Sequence, residues 1–358
     1  MADAEQQFEI DCSMLDPGRV ALTRAALLRA GIGAGLTLPM LGAIFEQTAY
    51  AKPSARSGVG SGKTIALSLN GFNVYDQQLA TGVLLALAGT SYTFKGLQGN
   101  FDSKAEVTNL QNLVAQNPAG LLIIPNTVAG ASRGALAAKR AGIPVVNLLW
   151  SGKTSADSAY IGVIQVDNRV GGALMADYLG KKVKTGKILV VIGVPGQGFS
   201  EEITAGLKAG LAKYPGLVIA DSQPGLFTAG PAQKAVQNML TAHPDAKAIV
   251  DYAAEMGNGI AQYLKARKIK NLEHVTSDGN TAMIPWLKQG TYLSACRYYS
   301  SGQEGLLGCR MMRKYIEKQQ KPATFVTNLY QKMVTKTNLK GQPPLTYDKY
   351  LSIVKKIG

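Results

Sequence analysis

From Thr64 onward, short apolar runs alternate with longer segments in which apolar and polar residues are mixed. A short apolar run bounded by glycine or proline indicates a buried strand, and the longer amphipathic segment after it indicates a helix. The first half of this pattern predicts strands over residues 64–69, 92–97, 120–124, 144–149 and 160–163, and helices over 76–88, 102–116, 128–141 and 168–184. The second half predicts strands over 187–192, 217–221, 248–252, 272–277 and 292–297, and helices over 200–213, 230–241, 255–267, 281–289 and 302–317.

This alternation of strands and helices decides the expected fold class. Strands that alternate with helices of this length form parallel sheets joined by right-handed crossovers. Because two similar blocks follow one another, we expect an α/β protein with two Rossmann-like lobes. Residues 336–358 are polar and contain two consecutive prolines, so we expect them to wrap around the surface.

The helix starts can be recognised from their capping residues. In the segment 187–207, a glycine-rich loop follows the strand, and Ser200 then begins a helix with Glu201 in its first turn. An acidic residue at this position interacts favourably with the helix dipole. Ser103 and Glu106 have the spacing of a capping box at an earlier helix. The loops between strand and helix lie at the carboxyl ends of the strands, where open parallel sheets bind ligands.

The first 51 residues have the three parts of a secretory signal peptide. Two arginines precede or open an apolar, glycine-rich stretch at residues 26–45, and a small-x-small motif ends at Ala51. We therefore expect a signal peptide over 1–51 that is cleaved after Ala51, a linker over 52–62, and a periplasmic mature protein. The sequence around Ala25 resembles the twin-arginine export motif, but Ala25 stands where the second arginine belongs, which leaves the export route open.

Composition adds a basic charge to this picture. The chain has 358 residues, of which 46% are apolar and 17% charged, and its net charge is +15. Three of the 38 basic residues and six of the 23 acidic residues fall within the first 51, so the rest of the chain is more basic still. The lysines are scattered and are not interleaved with aromatic residues, which indicates a solvated basic surface rather than a nucleic-acid interface.

Cysteine and histidine give no sign of a metal or a cofactor. Cys12 lies in the predicted signal peptide, and Cys296 and Cys309 lack CxxC spacing. The histidines, His243 and His274, are far apart in the sequence and outside any ligand motif. We therefore expect no metal, no cofactor and no catalytic residue, while pairing of the two later cysteines stays open.

Five motifs in order resemble those of a known family. They are Ile161-Gly-Val-Ile-Gln-Val-Asp-Asn168 with Gly171-Gly172, Asn238-Met-Leu-Thr-Ala-His-Pro-Asp245, Asp251-Tyr-Ala-Ala-Glu-Met256, Ser277-Asp-Gly279 and Gln303-Glu-Gly305. Each motif is modest, but together they are similar to the periplasmic sugar-binding proteins of the ribose-binding type, which feed ABC importers. The resemblance covers about residues 63–335.

This resemblance implies two lobes joined by three hinge strands, with one ligand closed between them. The chain would cross between lobes near residues 165–168, near 297–301 and after Ala323. The implied lobes are 63–166 with 299–325 for lobe 1 and 167–298 with 326–340 for lobe 2, leaving 341–358 as a C-terminal tail. The implied partners are a small solute, an ABC permease with its ATPase and, in a sensory role, a chemoreceptor, with no nucleic acid.

Several positions depart from the family pattern where the family contacts its sugar. Leu149 and Trp150 stand where the family usually has an Asp-Arg pair, and Glu201 aligns with a ligand-binding arginine. Ala253 replaces an asparagine and Tyr298 or Tyr299 replaces a glutamine, whereas Asp278 is kept. The resemblance therefore supports the scaffold but leaves the solute open, with a polyol, a deoxy sugar, a sugar derivative or a more aromatic ligand as candidates.

The expected solute contacts lie on strand ends, on the first βα loop and near the crossings. They are Asn70, Phe72, Asn73, Tyr75, Trp150, Asn168, Glu201, Tyr252, Asp278, Arg297, Tyr299 and Gln303. Asp278 can accept two strong hydrogen bonds from hydroxyl groups, and aromatic rings can cover the apolar face of a sugar ring. Several have a simpler alternative: a turn for Asp278, core packing for Trp150, helix-dipole compensation for Glu201, and plain loop packing for the residues of the first loop.

Two other functions remain open. An NAD(P)-dependent reductase would suit the glycines at 193–198, but their spacing is not GxGxxG, and the Tyr178/Lys182 pair precedes this loop instead of following it. A sensory binding module with the same fold cannot be distinguished from a transport protein. A repressor is disfavoured, because the predicted signal peptide stands where a helix-turn-helix headpiece would be.

Overall fold

The computed structural model describes residues 7–11, 63–149, 156–279 and 281–339. The chain divides into two compact units, unit 1 with Met1–Ile164 and Ser301–Thr327, and unit 2 with Gln165–Ser300 and Asn328–Gly358. It therefore passes between the units three times. Residues 1–6 and 12–62 of the predicted signal peptide and linker, and the predicted tail 341–358, lie outside the described residues.

Unit 1 contains a seven-stranded sheet with the order β1-β3-β2-β4-β5-β6-β12. Strands β2 to β6 are parallel, as predicted. Its strands are β1 (Gln7–Asp11), β2 (Thr64–Leu69), β3 (Thr93–Gln98), β4 (Gly120–Ile123), β5 (Val145–Leu148), β6 (Tyr160–Gln165) and β12 (Val326–Asn328). Its helices are α1 (Val74–Leu87), α2 (Ser103–Ala115), α3 (Val128–Arg140) and α9 (Ser301–Lys318).

Strand β1 belongs to the predicted signal peptide and forms an edge of this sheet. It pairs antiparallel with β3, from Gln7 opposite Leu97 to Asp11 opposite Thr93. The sequence analysis predicted no strand there. The pairing gives the backbone groups on the outer side of β3 a partner, which an edge strand otherwise lacks.

Unit 2 contains a six-stranded sheet with the order β13-β11-β10-β9-β7-β8. All of its strands are parallel except β13, which runs antiparallel to β11. The strands are β7 (Gly186–Ile192), β8 (Leu217–Pro224), β9 (Ala248–Asp251), β10 (Glu273–Ser277), β11 (Ala295–Tyr298) and β13 (Lys332–Thr335). The helices are α4 (Asn168–Lys182), α5 (Phe199–Leu211), α6 (Ala229–Ala242), α7 (Ala254–Ala266) and α8 (Ile284–Gln289).

In each unit, glycines bring two helices into backbone contact. In unit 1, a Cβ atom on Gly82 of α1 would lie 2.0 Å from the carbonyl oxygen of Gly302 in α9. In unit 2, a Cβ atom on Gly206 of α5 would lie 2.0 Å from the carbonyl oxygen of Arg169 in α4. A Cβ atom on Gly172 of α4 would likewise lie 2.2 Å from the Ile203 carbonyl oxygen in α5. Part of the Gly171-Gly172 motif is thus explained by helix packing.

The predicted α/β class and parallel sheets are confirmed, while several local predictions were wrong. The capping box of Ser103 does not form, because Asp102 is the cap and accepts hydrogen bonds from the amides of Lys104 and Ala105. Glu106 is buried and instead accepts hydrogen bonds from the amides of Asn126 and Thr127. The helix predicted over 281–289 begins as a 3₁₀ turn, and the short strands β12 and β13 were not predicted.

Two further properties concern membranes and thiols. The first concerns membranes: within the described ranges, no helix is both long enough and apolar enough to span a bilayer. Cys296 in unit 2 and Cys309 in unit 1 are both buried and are not joined by a disulfide. The question of their pairing is thereby answered for this structure.

Candidate functional site

In unit 1, the carboxyl edge of the sheet carries buried polar side chains that lack hydrogen-bond partners in the described part of the chain. These atoms are Oγ of Ser68, Oδ1 of Asn70, both amide atoms of Asn126 and Oδ1 of Asn147. Ser68 is in β2, Asn70 follows it, Asn126 follows β4 and Asn147 is in β5. A buried polar group without a partner costs about 1–3 kcal/mol, so the cluster is suited to a ligand that supplies hydrogen bonds.

Tyr75 and Glu304 form a second polar feature of unit 1. The Tyr75 hydroxyl, in the first turn of α1, lies 2.5 Å from Oε2 of Glu304, in the first turn of α9. Glu304 is fully buried, and burial raises the pKa of its carboxyl group to about 8. The hydrogen bonds from Tyr75 and the Leu149 backbone oppose this rise without cancelling it.

The other predicted contacts of unit 1 are Asn73, Phe72, Gln303 and Trp150. Asn73 caps a helix, Phe72 and Gln303 are half-buried, and Trp150 is not described. Asn73 is the N-cap of α1, where its side chain accepts from the Asp76 amide and Asp76 accepts from the Asn73 amide. Its oxygen is thus used within the loop. Phe72 and Gln303 are half-buried, and the Phe72 carbonyl accepts a hydrogen bond from the Gln77 amide group. Trp150 lies outside the described residues.

In unit 2, Asp278 follows β10 and is buried with a backbone φ of 42°. Its Oδ1 accepts a hydrogen bond of 2.7 Å from the amide of Ala254, the first residue of α7. Burial raises its pKa well above the usual range, and the Glu255 carboxyl group raises it further. The amide of Ala254 and the guanidinium of Arg297 act in the opposite direction. Asp278 is therefore held at the carboxyl edge of the unit 2 sheet, and its contact with solute stays a prediction.

Arg297 is fully buried and links three segments of unit 2. Its guanidinium donates to Gln331 Oε1 at 2.8 Å, Ser277 Oγ at 3.1 Å and Asn168 Oδ1 at 2.9 Å. Gln331 in turn donates to the carbonyl oxygen of Asp167. Asn168, Arg297 and Gln331 each lie close to one of the three points where the chain passes between units. The structure thus brings two predicted contacts, Asn168 and Arg297, together with each other.

The two predicted tyrosines of unit 2 are buried beside other side chains. The guanidinium of Arg297 stacks over the ring of Tyr299, with 4.9 Å between its carbon and the ring centroid. Tyr252, directly after β9, shares a hydrogen bond of 2.8 Å with the hydroxyl of Thr204 in α5. Burial raises the pKa of Tyr252, so its hydroxyl stays protonated and able to donate.

Glu201 closes the glycine loop after β7. Its Oε1 accepts from the Gly196 amide at 2.9 Å and its Oε2 from the Gly198 amide at 2.8 Å. Ser200 Oγ accepts from the Gly193 amide in the same loop. These backbone donors are the kind that would bind a phosphate group in a dinucleotide site, but here a carboxylate of the chain itself occupies them.

A buried network between β9 and β10 was not predicted from the sequence. His274 Nε2 lies 2.8 Å from Oδ2 of Asp251, and its Nδ1 lies 2.7 Å from the carbonyl oxygen of Tyr292. A carbonyl oxygen only accepts, so Nδ1 carries a proton. The Thr276 hydroxyl donates to Asp251 and not to the imidazole, so the network does not have the order of a nucleophile–base–acid triad.

The residues that sequence reasoning missed fall into two groups. Asn126 lies two residues after the end of a predicted strand, so its position near a carboxyl edge could have identified it. Ser68 and Asn147 sit within apolar strands, and Glu304 sits beside the predicted Gln303, so only the packing reveals that their polar atoms are buried. In the stretches that the structure describes, no three His, Cys, Asp or Glu side chains come together as a metal site.

Two relatives are similar to this chain in sequence. The ribose import binding protein of Salmonella typhimurium is 27% identical over 268 residues, which cover 74% of this chain and 89% of the relative. The D-ribose/D-allose-binding protein of Pseudomonas aeruginosa is 24% identical over 213 residues, which cover 58% of this chain and 66% of the relative.

Two solved structures share its fold. A solute-binding protein of an ABC transporter from Burkholderia graminis, in complex with D-arabinose, has a TM-score of 0.71 at 23% identity, covering 80% of this chain and 99% of that chain. A periplasmic solute-binding protein from Actinobacillus succinogenes with bound D-allose has a TM-score of 0.70 at 22% identity, covering 77% and 98%.

Sequence comparison and fold point to the same family. Residues 65–320, more than half of the chain, match the sequence profile of the periplasmic binding protein domain. The matched range begins in β2 and ends just after α9, so it takes in sheet strands and helices from both units. The chain therefore belongs to the periplasmic binding protein family.

Proposed function

We propose that the protein is the solute-binding component of an ABC importer and binds a small carbohydrate or polyol in the periplasm. In this proposal the signal peptide is cleaved after Ala51, and an ABC permease with its ATPase receives the solute. The family membership supports the proposal. Two relatives are named for binding ribose or allose, and two fold neighbours contain bound D-arabinose or D-allose.

The observation that carries the proposal is the set of unpartnered polar atoms at the carboxyl edge of unit 1. Asn70 and Asn126 offer amide groups, which can both donate to and accept from hydroxyl groups. Asp278 adds a buried carboxyl group at the corresponding edge of unit 2. A solute that bonds to both units would favour the closed state of a hinge equilibrium, because it gains contacts there that it lacks when the units are apart.

The chemistry of these groups supports a neutral solute. The side chains at the unit 1 edge are hydroxyl and amide groups, and Leu149 stands where the family has an acidic residue. Arg297, the cationic candidate of unit 2, has its guanidinium engaged by Asn168, Ser277 and Gln331. A polyol, a deoxy sugar or another uncharged sugar derivative therefore suits the site better than a sugar acid.

We also propose that the protein is not an enzyme. A reductase would need phosphate-binding donors in the loop after β7, and Glu201 already accepts hydrogen bonds from the Gly196 and Gly198 amides. A carboxylate at this position would repel a pyrophosphate. A sensory role with a chemoreceptor would use the same solute-binding step.

The experiment is a thermal-shift screen of the mature protein from Lys52 with sugars, polyols, sugar acids, nucleosides, aromatic acids and NADPH. A ligand that binds only the folded state raises the melting temperature, because it stabilises the protein by about 2.7 kcal/mol at a hundredfold excess over Kd. We expect a shift with a neutral sugar or polyol and its loss in Asp278→Asn. This variant keeps the Oδ1 that accepts from Ala254 but removes the second carboxylate oxygen.

Asp245→Asn is the matched control, because Asp245 is an exposed partner of Lys187 in the same unit. It should keep the full shift. A shift with NADPH alone would overturn the binding-protein proposal in favour of the reductase. A shift with sugar acids alone would overturn the neutral solute.

A further inference from the structure

The pair formed by Tyr75 and Glu304 has a property that the proposed function does not explain. Both oxygens of Glu304 are buried, yet only Oε2 is bonded to a side chain, and Oε1 has no hydrogen-bond partner among the described residues. A carboxyl group that served only to stabilise α9 would be expected to have both oxygens satisfied or exposed to water. The contact also ties α9 to the first turn of α1, which follows the loop that carries Asn70.

The surroundings of Glu304 contain few groups that could neutralise its charge. From α1, Tyr75 contacts it, while Asp76 exchanges hydrogen bonds with its own cap Asn73. Strands β4 and β5, which also pack against α9, contain no titratable residue, and the next charged residue along α9 is Arg310. Desolvation therefore dominates, and the carboxyl group is neutral near pH 7 because its pKa is about 8.

The protonation state of Glu304 decides the direction of its hydrogen bond with Tyr75. A carboxylate can only accept, so the Tyr75 hydroxyl must point its proton at Glu304. A neutral carboxylic acid is a stronger donor than a phenol, so it can give its own proton to the phenol oxygen. The proton of the Tyr75 hydroxyl is then directed away from Glu304. On the side facing away from Glu304, the Tyr75 hydroxyl therefore donates a hydrogen bond when Glu304 is neutral and can only accept one when Glu304 is ionised.

We propose that Glu304 acts on the solute through Tyr75, as a positioning residue whose protonation state decides whether the Tyr75 hydroxyl donates a hydrogen bond to the solute. The inference rests on the proposed function, since it requires that a solute binds beside the first loop. The position of Glu304 adds support. Its carboxyl group accepts from the Leu149 backbone, at the strand end where the family resemblance leads one to expect an acidic residue. The carboxyl group of Glu304, from α9, thus lies near Leu149, where the family usually has an acidic residue.

The experiment measures the affinity of the mature protein between pH 6.5 and 9.5 by titration calorimetry. The probes are D-ribose, D-allose and D-arabinose, with ribitol as a polyol. For the wild type we expect Kd to rise about fivefold to tenfold through pH 8, which corresponds to the loss of one hydrogen bond. In Glu304→Gln, the amide group donates to the phenol oxygen at every pH. This variant should therefore keep the affinity of the wild type at pH 6.5 and show no pH dependence over this range.

Two further variants make the outcome unambiguous. Tyr75→Phe lacks the hydroxyl, so it should bind about fivefold to tenfold more weakly at pH 6.5 and lose the pH dependence, even if Glu304→Gln does not fold. Glu317→Gln, on the same helix but paired with Arg313, should behave like the wild type.

The possible failures can be told apart. If the wild type binds none of these probes and none of the neutral compounds of the thermal-shift screen, the proposed function fails and this inference fails with it. If a probe binds with a Kd that does not change with pH, or if Glu304→Gln keeps the pH dependence of the wild type, sugar binding stands and the role of Glu304 is overturned.

Discussion

Glu304 shows at the scale of one residue how burial without a counter-charge changes a carboxyl group. In the unfolded chain its pKa has the ordinary value of 4.5, and in unit 1 burial raises it to about 8. Between these values the folded state holds a proton that the unfolded state has released. Stability therefore falls as pH rises from about 4.5 to about 8, and the contribution of this group is constant above that range.

The predicted fall of stability with rising pH can be tested without any ligand. In Glu304→Gln the side chain no longer titrates, so unit 1 should lose less stability between pH 5 and pH 8 than the wild type does. The difference should be on the order of 3 kcal/mol. Urea unfolding at several pH values, followed by circular dichroism, measures it. Glu317→Gln should retain the slope of the wild type, and an equal slope in Glu304→Gln would show that burial does not perturb this carboxyl group.

The same residue shows what could and could not be predicted about the site. Asn70 and Tyr75 were expected, because a loop after the first strand must reach the carboxyl edge of a parallel sheet. Glu304 was missed although Gln303 was named. Neighbouring residues on a helix point about 100° apart, and the packing of α1 against α9 decides which of them turns inward. That packing is a tertiary property that the local sequence does not contain.

At the scale of elements, the glycines between helices are the most demanding positions. In α5, Gly206 faces the backbone of α4, and a Cβ atom there would meet a carbonyl oxygen that cannot rotate away. Gly230 of α6, by contrast, has nothing within 4 Å of a Cβ atom. The two glycines are thus in helices of the same unit with opposite expected responses to substitution.

We expect Gly206→Ala to destabilise unit 2 by about 1–3 kcal/mol, because the helices must move apart. Gly230→Ala should be neutral or stabilise it by up to about 1 kcal/mol, since alanine is the better helix former. Urea unfolding midpoints of both variants provide the comparison. Equal effects would mean that α4 and α5 do not approach as closely as described.

The predictions of elements succeeded where the local pattern was strong. The order of strands and helices from Thr64 to α9 was anticipated, since apolar runs and amphipathic helices follow directly from burial. The strands β12 and β13 were not, because they are short, polar in part and held by pairing with strands far away in sequence. The strand β1 was missed because a charged segment ahead of an apolar one indicates a signal peptide and not a sheet edge.

At the scale of the whole molecule, Arg297 lies near all three points where the chain passes between the units. That it contacts solute stays a prediction, and in the structure its guanidinium donates to Asn168, Ser277 and Gln331. Next to it, the amide of Leu329 donates to the carbonyl oxygen of Gln165. These bonds join, on the side of unit 2, the segments that must bend if the units move relative to one another.

Replacing Arg297 should therefore loosen all three segments at once. In Arg297→Met, the oxygen atoms of Asn168, Ser277 and Gln331 lose a donor, at a cost of on the order of 3 kcal/mol. We expect amide hydrogen exchange of residues 165–168 and 329–331 to become at least tenfold faster. Arg267→Met, at an exposed arginine beside Tyr263, should leave exchange there unchanged. Unchanged exchange in Arg297→Met would show that these segments are held by other contacts.

The positions of Cys296 and Cys309 have a practical consequence. Among the described residues, each unit holds one buried thiol, which is protected from solvent as long as its own unit stays folded. Because a thiol-specific reagent reacts only with an exposed sulfur atom, the labelling rate of each cysteine reports the opening of one unit and ignores the other. The proposed mature protein, which lacks Cys12, thus carries its own pair of cysteine probes, with which solute protection can be followed separately in the two units without introducing further cysteines.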